Sequence, residues 1–190
     1  MEDKKKLEKL VESCHYLTVQ PIKGNPPAEY ILTFKLRGYI DVEGNTRDIH
    51  QVRLLLPSGY PISAPPSFQF INRLWHPNVY LNGDVCLGFS GSNWKPSFRI
   101  DELVVDLAKY ICLKEDSYNL KSLANSSCNA AWITSHTIPI DNTNILPVDK
   151  PKIVIKEKKN IDIKITNSQT PMNDNLQEKI KIRINEWNSK

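Results

Sequence analysis

The residues able to do chemistry in this chain crowd into one stretch, Trp75-His76-Pro77-Asn78-Val79-Tyr80-Leu81-Asn82-Gly83-Asp84-Val85-Cys86-Leu87-Gly88, with Trp94-Lys95-Pro96-Ser97 close behind. Cys86 supplies a nucleophile. Asn78 offers a donor and an acceptor on one amide, and Pro77 before it fixes φ and lacks an N–H. Asn82-Gly83 is a strong turn signal, so the chain doubles back between Asn78 and Cys86. Val85 and Leu87 can anchor the cysteine's segment while Gly88 adds no bulk beside it. Such a thiol can be presented in a shallow groove that a bulky partner reaches; a core thiol needs no such approach. An unperturbed thiol ionises near pH 8.5 and is roughly a few per cent thiolate at neutral pH, which suffices for thiol–thioester exchange with no histidine beside the sulfur.

Bulk properties narrow the setting. A chain of 190 residues holds one domain of ordinary size plus an extension. Cys14, Cys86, Cys112 and Cys128 lack CxxC spacing, so neither a zinc site nor a disulfide framework is indicated, and no cofactor is implied. No apolar run is long enough to span a membrane and no signal-peptide pattern opens the chain, which places the protein in the cytoplasm with four free thiols. Residues 1–136 carry 15 basic and 14 acidic side chains, and residues 137–190 carry 10 and 7. The near-neutral first part argues against a nucleic-acid surface there.

The elements that must position the thiol follow from periodicity. Residues 2–15 read as an amphipathic helix, with Leu7, Leu10, Val11 and Cys14 on one face and Lys4, Lys5, Lys6 and Lys9 elsewhere. From Leu17 the period turns to strands, broken by turns at Gly24-Asn25-Pro26-Pro27 and Glu43-Gly44-Asn45. Tyr30, Leu32 and Phe34 alternate, His50 to Leu56 forms a third strand, and Phe68 and Phe70 a fourth, giving an antiparallel meander. Ile100-Asp101-Glu102 opens a helix striped by Leu103, Val104, Leu107 and Ile111, with acids suited to its first turn. Ser122 to Ser135 reads as a further helix, with Cys128 and Trp132 four apart. From Thr137, Pro139, Pro147 and Pro151 punctuate a linker. A weak hairpin signal at Ile153–Ile155 and Ile161–Ile165 follows, then helical spacing of Leu176, Ile180, Ile184 and Trp187. The fold class is therefore α+β: a four-stranded antiparallel sheet flanked by an N-terminal helix and C-terminal helices over residues 1–136, with a polar extension over 137–190.

The central stretch resembles the ubiquitin-conjugating enzymes. That family carries His-Pro-Asn with a catalytic cysteine eight residues after the Asn, as Asn78 and Cys86 stand here, and a Trp and Pro beyond it, matched by Trp94 and Pro96. Tyr60-Pro61-Ile62-Ser63-Ala64-Pro65-Pro66 looks like the family's Tyr-Pro…Pro-Pro segment with one extra residue, and Asn119 to Asn125 is similar to the segment before its penultimate helix. The resemblance implies that Cys86 accepts a ubiquitin-like modifier as a thioester from an activating enzyme, docked in part on the first helix, and passes it to a lysine amine of a target protein. It implies that Asn78 stabilises the oxyanion of that second step, that His76 supports the loop, and that Ser122, with Glu115 and Asp116 nearby, stands where the incoming lysine is gated. Departures carry information as well. Ile62 and Lys95-Pro96-Ser97 replace the Phe and Ser-Pro-Ala of ligase-binding members, which argues against a separate RING-type ligase. The loops before the third strand look more like the bacterial branch, implying a bacterial conjugation system of the antiphage kind.

Two other readings stand beside this one. A catalytically silent module of the same fold would present a modifier or scaffold a partner, but such variants lack the active cysteine. An unrelated cysteine hydrolase would need a histidine base with an orienting Asn or Asp, and His15, His50 and His136 show no such arrangement in sequence.

Overall fold

The structure is a computed structural model and describes residues 2–88 and 93–148. Helix α1 (Glu2–Ser13) opens with Glu2 and Asp3, which suit its positive end, and Lys6 closes back onto both at 2.8 and 3.7 Å. Leu7 and Leu10 are its buried residues. The helix ends two residues earlier than its apolar pattern suggests. Cys14 N donates to the Leu10 carbonyl and the Ser13 hydroxyl bonds to the carbonyls of Lys9 and Leu10, and the chain then enters the sheet.

Strands β1 (Leu17–Gly24), β2 (Pro27–Phe34), β5 (His50–Leu55) and β6 (Ser67–Phe70) form a four-stranded antiparallel sheet in the order β1-β2-β5-β6. Alternation sends Tyr30, Leu32, Phe34, Val52, Leu54, Phe68 and Phe70 to one face, where all are buried. Between β2 and β5 a two-residue hairpin of β3 (Gly38–Tyr39) and β4 (Thr46–Arg47) stands apart from the main sheet. Helix α2 (Ile100–Cys112) lies in the core with Ile100, Leu103, Val104, Leu107 and Ile111, and it packs on α1. It stops at Leu113, a left-handed residue whose cap amides return to the carbonyls of Lys109 and Tyr110. A leucine in that conformation is disfavoured. Here its side chain is buried in a second cluster with Tyr39, Trp75, Cys128, Trp132 and Ile133, which offsets the cost. Among the described residues no helix is long and apolar enough to cross a membrane.

Two expectations from sequence are corrected. Of the helix read over Ser122 to Ser135, only α3 (Ala130–Thr134) forms, capped by the Asn129 side chain. The preceding backbone is bonded elsewhere: Ala124 N and Asn125 N both donate to the Pro77 carbonyl. The segment from Thr137 to Val148, read as the start of a linker, is a strap across the domain. Ile140 N donates to the Cys112 carbonyl and Val148 N to that of Ser13. Asp141 accepts from Arg37 N at 2.7 Å, and the Tyr16 hydroxyl donates to the Ile145 carbonyl at 2.6 Å. Ile145 is buried in the main core, while Ile138 and Ile140 pack on the second cluster. Its prolines suggested a linker; its isoleucines, unevenly spaced at 138, 140 and 145, hold it down. The hairpin and helix signals beyond Pro151 lie outside the described residues.

Candidate active site

Six consecutive residues, Leu74 to Val79, are buried. After them the chain turns through Tyr80–Gly83 and comes back to Cys86. The turn closes on itself, with Gly83 N donating to the Tyr80 carbonyl and Tyr80 N to that of Asp84. Gly83 has φ +91°, and a side chain there would put its Cβ 2.2 Å from the Phe70 carbonyl oxygen, so only glycine lets the turn lie on β6. Cys86 N then donates to the Asn78 carbonyl at 2.8 Å, and Val85 N to that of Phe68 at 3.0 Å. The Tyr110 hydroxyl donates to the Cys86 carbonyl at 3.3 Å. The cysteine backbone is thereby fixed on both sides while the residue stays half-buried.

The sulfur's surroundings distinguish it from the other three thiols. Cys14, Cys112 and Cys128 are all buried, and burial pushes Cys112 and Cys128 up to about 12. Cys86 stands where two grooves meet. One, of about 350 Å³, runs past Pro65, Phe68, Tyr80, Asp84 and Val85. The other, of about 290 Å³, is walled by Asn78, Tyr110, Asp116, Tyr118, Asn119 and Ser122. Among the described residues no histidine lines either groove. Among the described residues no cluster of His, Cys, Asp or Glu is arranged to hold a metal.

Asn78 is placed beside Cys86, but its amide is already engaged. Its Nδ2 donates to the carbonyls of Asn119 at 3.1 Å and Ser122 at 2.7 Å, and its Oδ1 accepts from Asn119 N at 2.6 Å. Both amide hydrogens therefore hold the loop that walls the second groove. An oxyanion could take one of them only if that loop released it. His76 is fully buried and stacks on Tyr110 with ring centroids 4.2 Å apart. Its Nδ1 accepts from Asn78 N at 3.0 Å, which puts the proton of the neutral ring on Nε2. Burial lowers its pKa to about 3, so it is uncharged at neutral pH and acts as a brace.

Ser122 is exposed and lines the second groove, joined to Asn78 through its carbonyl. Asp116, on a single 3-10 turn (Glu115–Ser117), lines the same groove and pairs with Lys109 at 3.1 Å. Glu115 is on that turn and exposed, outside the groove lining. Sequence reasoning passed over Tyr110, whose ring supports His76 and whose hydroxyl reaches Cys86. The signal was present, an aromatic residue bearing a polar tip three positions after Leu107 on a core-facing helix. On the flank, Ile62 is 76% exposed, and the Trp94 indole donates to the Pro61 carbonyl at 2.7 Å. Lys95-Pro96-Ser97 beyond Trp94 are exposed, as are Lys5 and Lys9 on α1.

Fold and site together define an α+β protein that carries one accessible thiol at the meeting of two grooves. Residues 45–136, just under half of the chain, match the family model described as Ubiquitin-conjugating enzyme. Similar solved structures include human Ubiquitin-conjugating enzyme E2 G1, at 23% identity over 57% of this chain and 89% of that one, with a TM-score of 0.46. A Plasmodium vivax ubiquitin conjugating enzyme E2 is 23% identical over 58% of this chain and 99% of its own, with a TM-score of 0.46. A ubiquitin conjugating enzyme E2 from Plasmodium falciparum gives 23% identity, 58% and 80% coverage, and a TM-score of 0.46.

Proposed function

We propose that this protein is a ubiquitin-conjugating-type acyl transferase that carries a ubiquitin-like modifier as a thioester on Cys86 and delivers it to a lysine of a target protein. The observation that carries the reading is that Cys86 alone of four cysteines is not buried, and that it stands at the junction of two grooves. A two-substrate transfer is served by such a junction, because the amine must approach the thioester carbonyl while the acyl chain already occupies the sulfur.

In the first step the Cys86 thiolate attacks the thioester carbonyl held on the activating enzyme, whose own thiolate leaves. In the second, a neutral lysine amine attacks the Cys86 thioester, the tetrahedral intermediate expels the Cys86 thiolate, and the nitrogen loses a proton as the isopeptide bond forms. Cys86 is the nucleophile and then the leaving group. Asn78 is a positioning residue in the arrangement described, holding Asn119 and Ser122 against the sulfur; its oxyanion role belongs to a state in which the loop has shifted. Ser122 and Asp116 border the approach of the amine. Ile62 and the Lys95-Pro96-Ser97 segment favour transfer without a separate ligase, and we extend the proposal to a cytoplasmic, bacterial system of antiphage type on the sequence departures described above.

The test is incubation with a ubiquitin-like modifier, its activating enzyme and ATP, resolved without reducing agent. The expected product is an adduct lost on adding thiol, absent in Cys86→Ala and converted to a thiol-resistant oxyester in Cys86→Ser. Normal charging of Cys86→Ala would refute the assignment. A folded protein that no activating enzyme charges would instead favour a silent scaffold of the same fold.

A further inference from the structure

We propose that the groove on the Tyr80 side of Cys86 selects the target, by taking the residues that flank the acceptor lysine and preferring basic ones. The inference rests on the acyl-transfer reading of Cys86 and deepens it. The two grooves meeting at the sulfur differ in charge balance. In the groove of the 117–122 loop the carboxylate is Asp116, and Lys109 compensates it at 3.1 Å. In the other groove the carboxylate is Asp84, exposed and two residues before the cysteine. Its carboxylate has a neutral partner: Asn82 Nδ2 donates to its Oδ2 at 2.8 Å, while its own N–H donates to Asn82 Oδ1 at 3.1 Å. No lysine or arginine pairs with it among the described residues.

Among the described residues Asp84 is therefore an uncompensated negative charge on the wall of a groove lined by Pro65, Phe68, Val85 and the half-exposed ring of Tyr80. The two substrates differ in what they would bring to it. The modifier arrives with its terminal carboxyl already converted to an uncharged acyl group. The acceptor arrives as a lysine in a polypeptide, and the residues beside that lysine must lie against whatever surrounds the sulfur. A carboxylate there favours Arg or Lys neighbours and repels Asp or Glu, an effect on encounter and register more than on the bond-making step.

The experiment needs no cognate partner. Full-length protein is loaded on Cys86 with an acetylated glycylglycine thioester of mercaptoethanesulfonate, by exchange of one thioester for another with release of the small thiol. The excess is removed, and the adduct is chased with acetylated, amidated pentapeptides Gly-X-Lys-X-Gly in which X is Arg, Ala or Glu. The readout is the ratio of rates within each protein, so any general loss of activity in a variant divides out. At low ionic strength the wild type should discharge faster to the Arg peptide than to the Glu peptide by about fivefold, the size of an exposed charge contact. That ratio should shrink toward one in high salt, approach one in Asp84→Asn, which keeps the turn's hydrogen bonds, and invert in Asp84→Lys. A ratio of one in the wild type overturns the inference. So does the same ratio in Asp84→Lys as in wild type; and if Asp84→Lys fails to load where the wild type loads, the groove belongs to the modifier and the inference falls. Failure of the wild type to load at all is a different result, which counts against the acyl-transfer reading itself.

Discussion

The two halves of the central stretch behave as opposites. Leu74 to Val79 is buried without a break, while Tyr80, Leu81, Asn82 and Asp84 are exposed and Cys86 is half-buried. The buried half contains the groups that look most reactive on paper, an imidazole and a carboxamide; the carboxamide is fully occupied, and the imidazole is engaged at Nδ1 while its buried Nε2 meets no hydrogen-bond partner among the described residues. His76 accepts from Asn78 N, and the Asn78 side chain makes three bonds to the 119–122 backbone. The exposed half contains the nucleophile and a carboxylate, Asp84, with no ion pair among the described residues. The contrast teaches that the buried half is a frame for the exposed half. Most polar groups in a dry interior are taken up by hydrogen bonds within the fold, and a group that faces solvent is the one free to act on a partner.

The largest effect that would break this contrast is at the sulfur. Cys86→Ala should lose charging entirely, and in the native protein a thiol reagent such as Ellman's should titrate one cysteine rapidly and the other three only after denaturation. Rapid titration of more than one would mean that the buried thiols are not closed off. Next comes Asn78. Asn78→Ala removes three bonds from buried or half-buried backbone, which should lower stability by about 2–3 kcal/mol and slow charging and lysine discharge together. Asn78→Asp should be no better, since a carboxylate cannot donate to the Asn119 and Ser122 carbonyls. If discharge alone falls, by roughly a hundredfold with an unchanged thermal midpoint, the amide serves the oxyanion and the frame assignment fails.

A third test uses acid. Burial lowers His76 to about 3 and His50 to about 4, against about 6.5 in an unfolded chain. The unfolded state therefore takes up protons first. The stability tied to these neutral rings is complete above about pH 6.5 and falls as the pH drops toward the folded values. By pH 5 the loss should be on the order of 2 kcal/mol for each ring, read by urea unfolding at pH 7.5 and 5. Equal stability at the two values would show that the rings are not held neutral in the interior. The smallest effect concerns the strap. A chain ending at 136 should be less stable than one ending at 151 by about 2–3 kcal/mol, for one buried isoleucine and one buried tyrosine hydrogen bond. Equal urea midpoints would return residues 137–148 to the linker that the prolines suggested.

Much of this protein is fixed by local pattern. The alternation of Tyr30, Leu32 and Phe34, the helical stripe from Leu103 to Ile111, and the Asn82-Gly83 turn that returns the chain to Cys86 are consequences of side-chain period and glycine sterics, and each could be read before any coordinates. What only the tertiary structure decided are contacts between residues far apart in the chain. Asn78 meets the Ser122 carbonyl across 44 positions, Tyr16 meets Ile145 across 129, and Tyr110 lies flat on His76. No period encodes such pairings, because they depend on which buried donor finds which carbonyl once the helices and sheet have closed over the core. The sequence alone therefore determined where the thiol would stand; the packed fold decided that the asparagine beside it holds a loop, and that among the described residues the carboxylate two positions away has no cation paired with it.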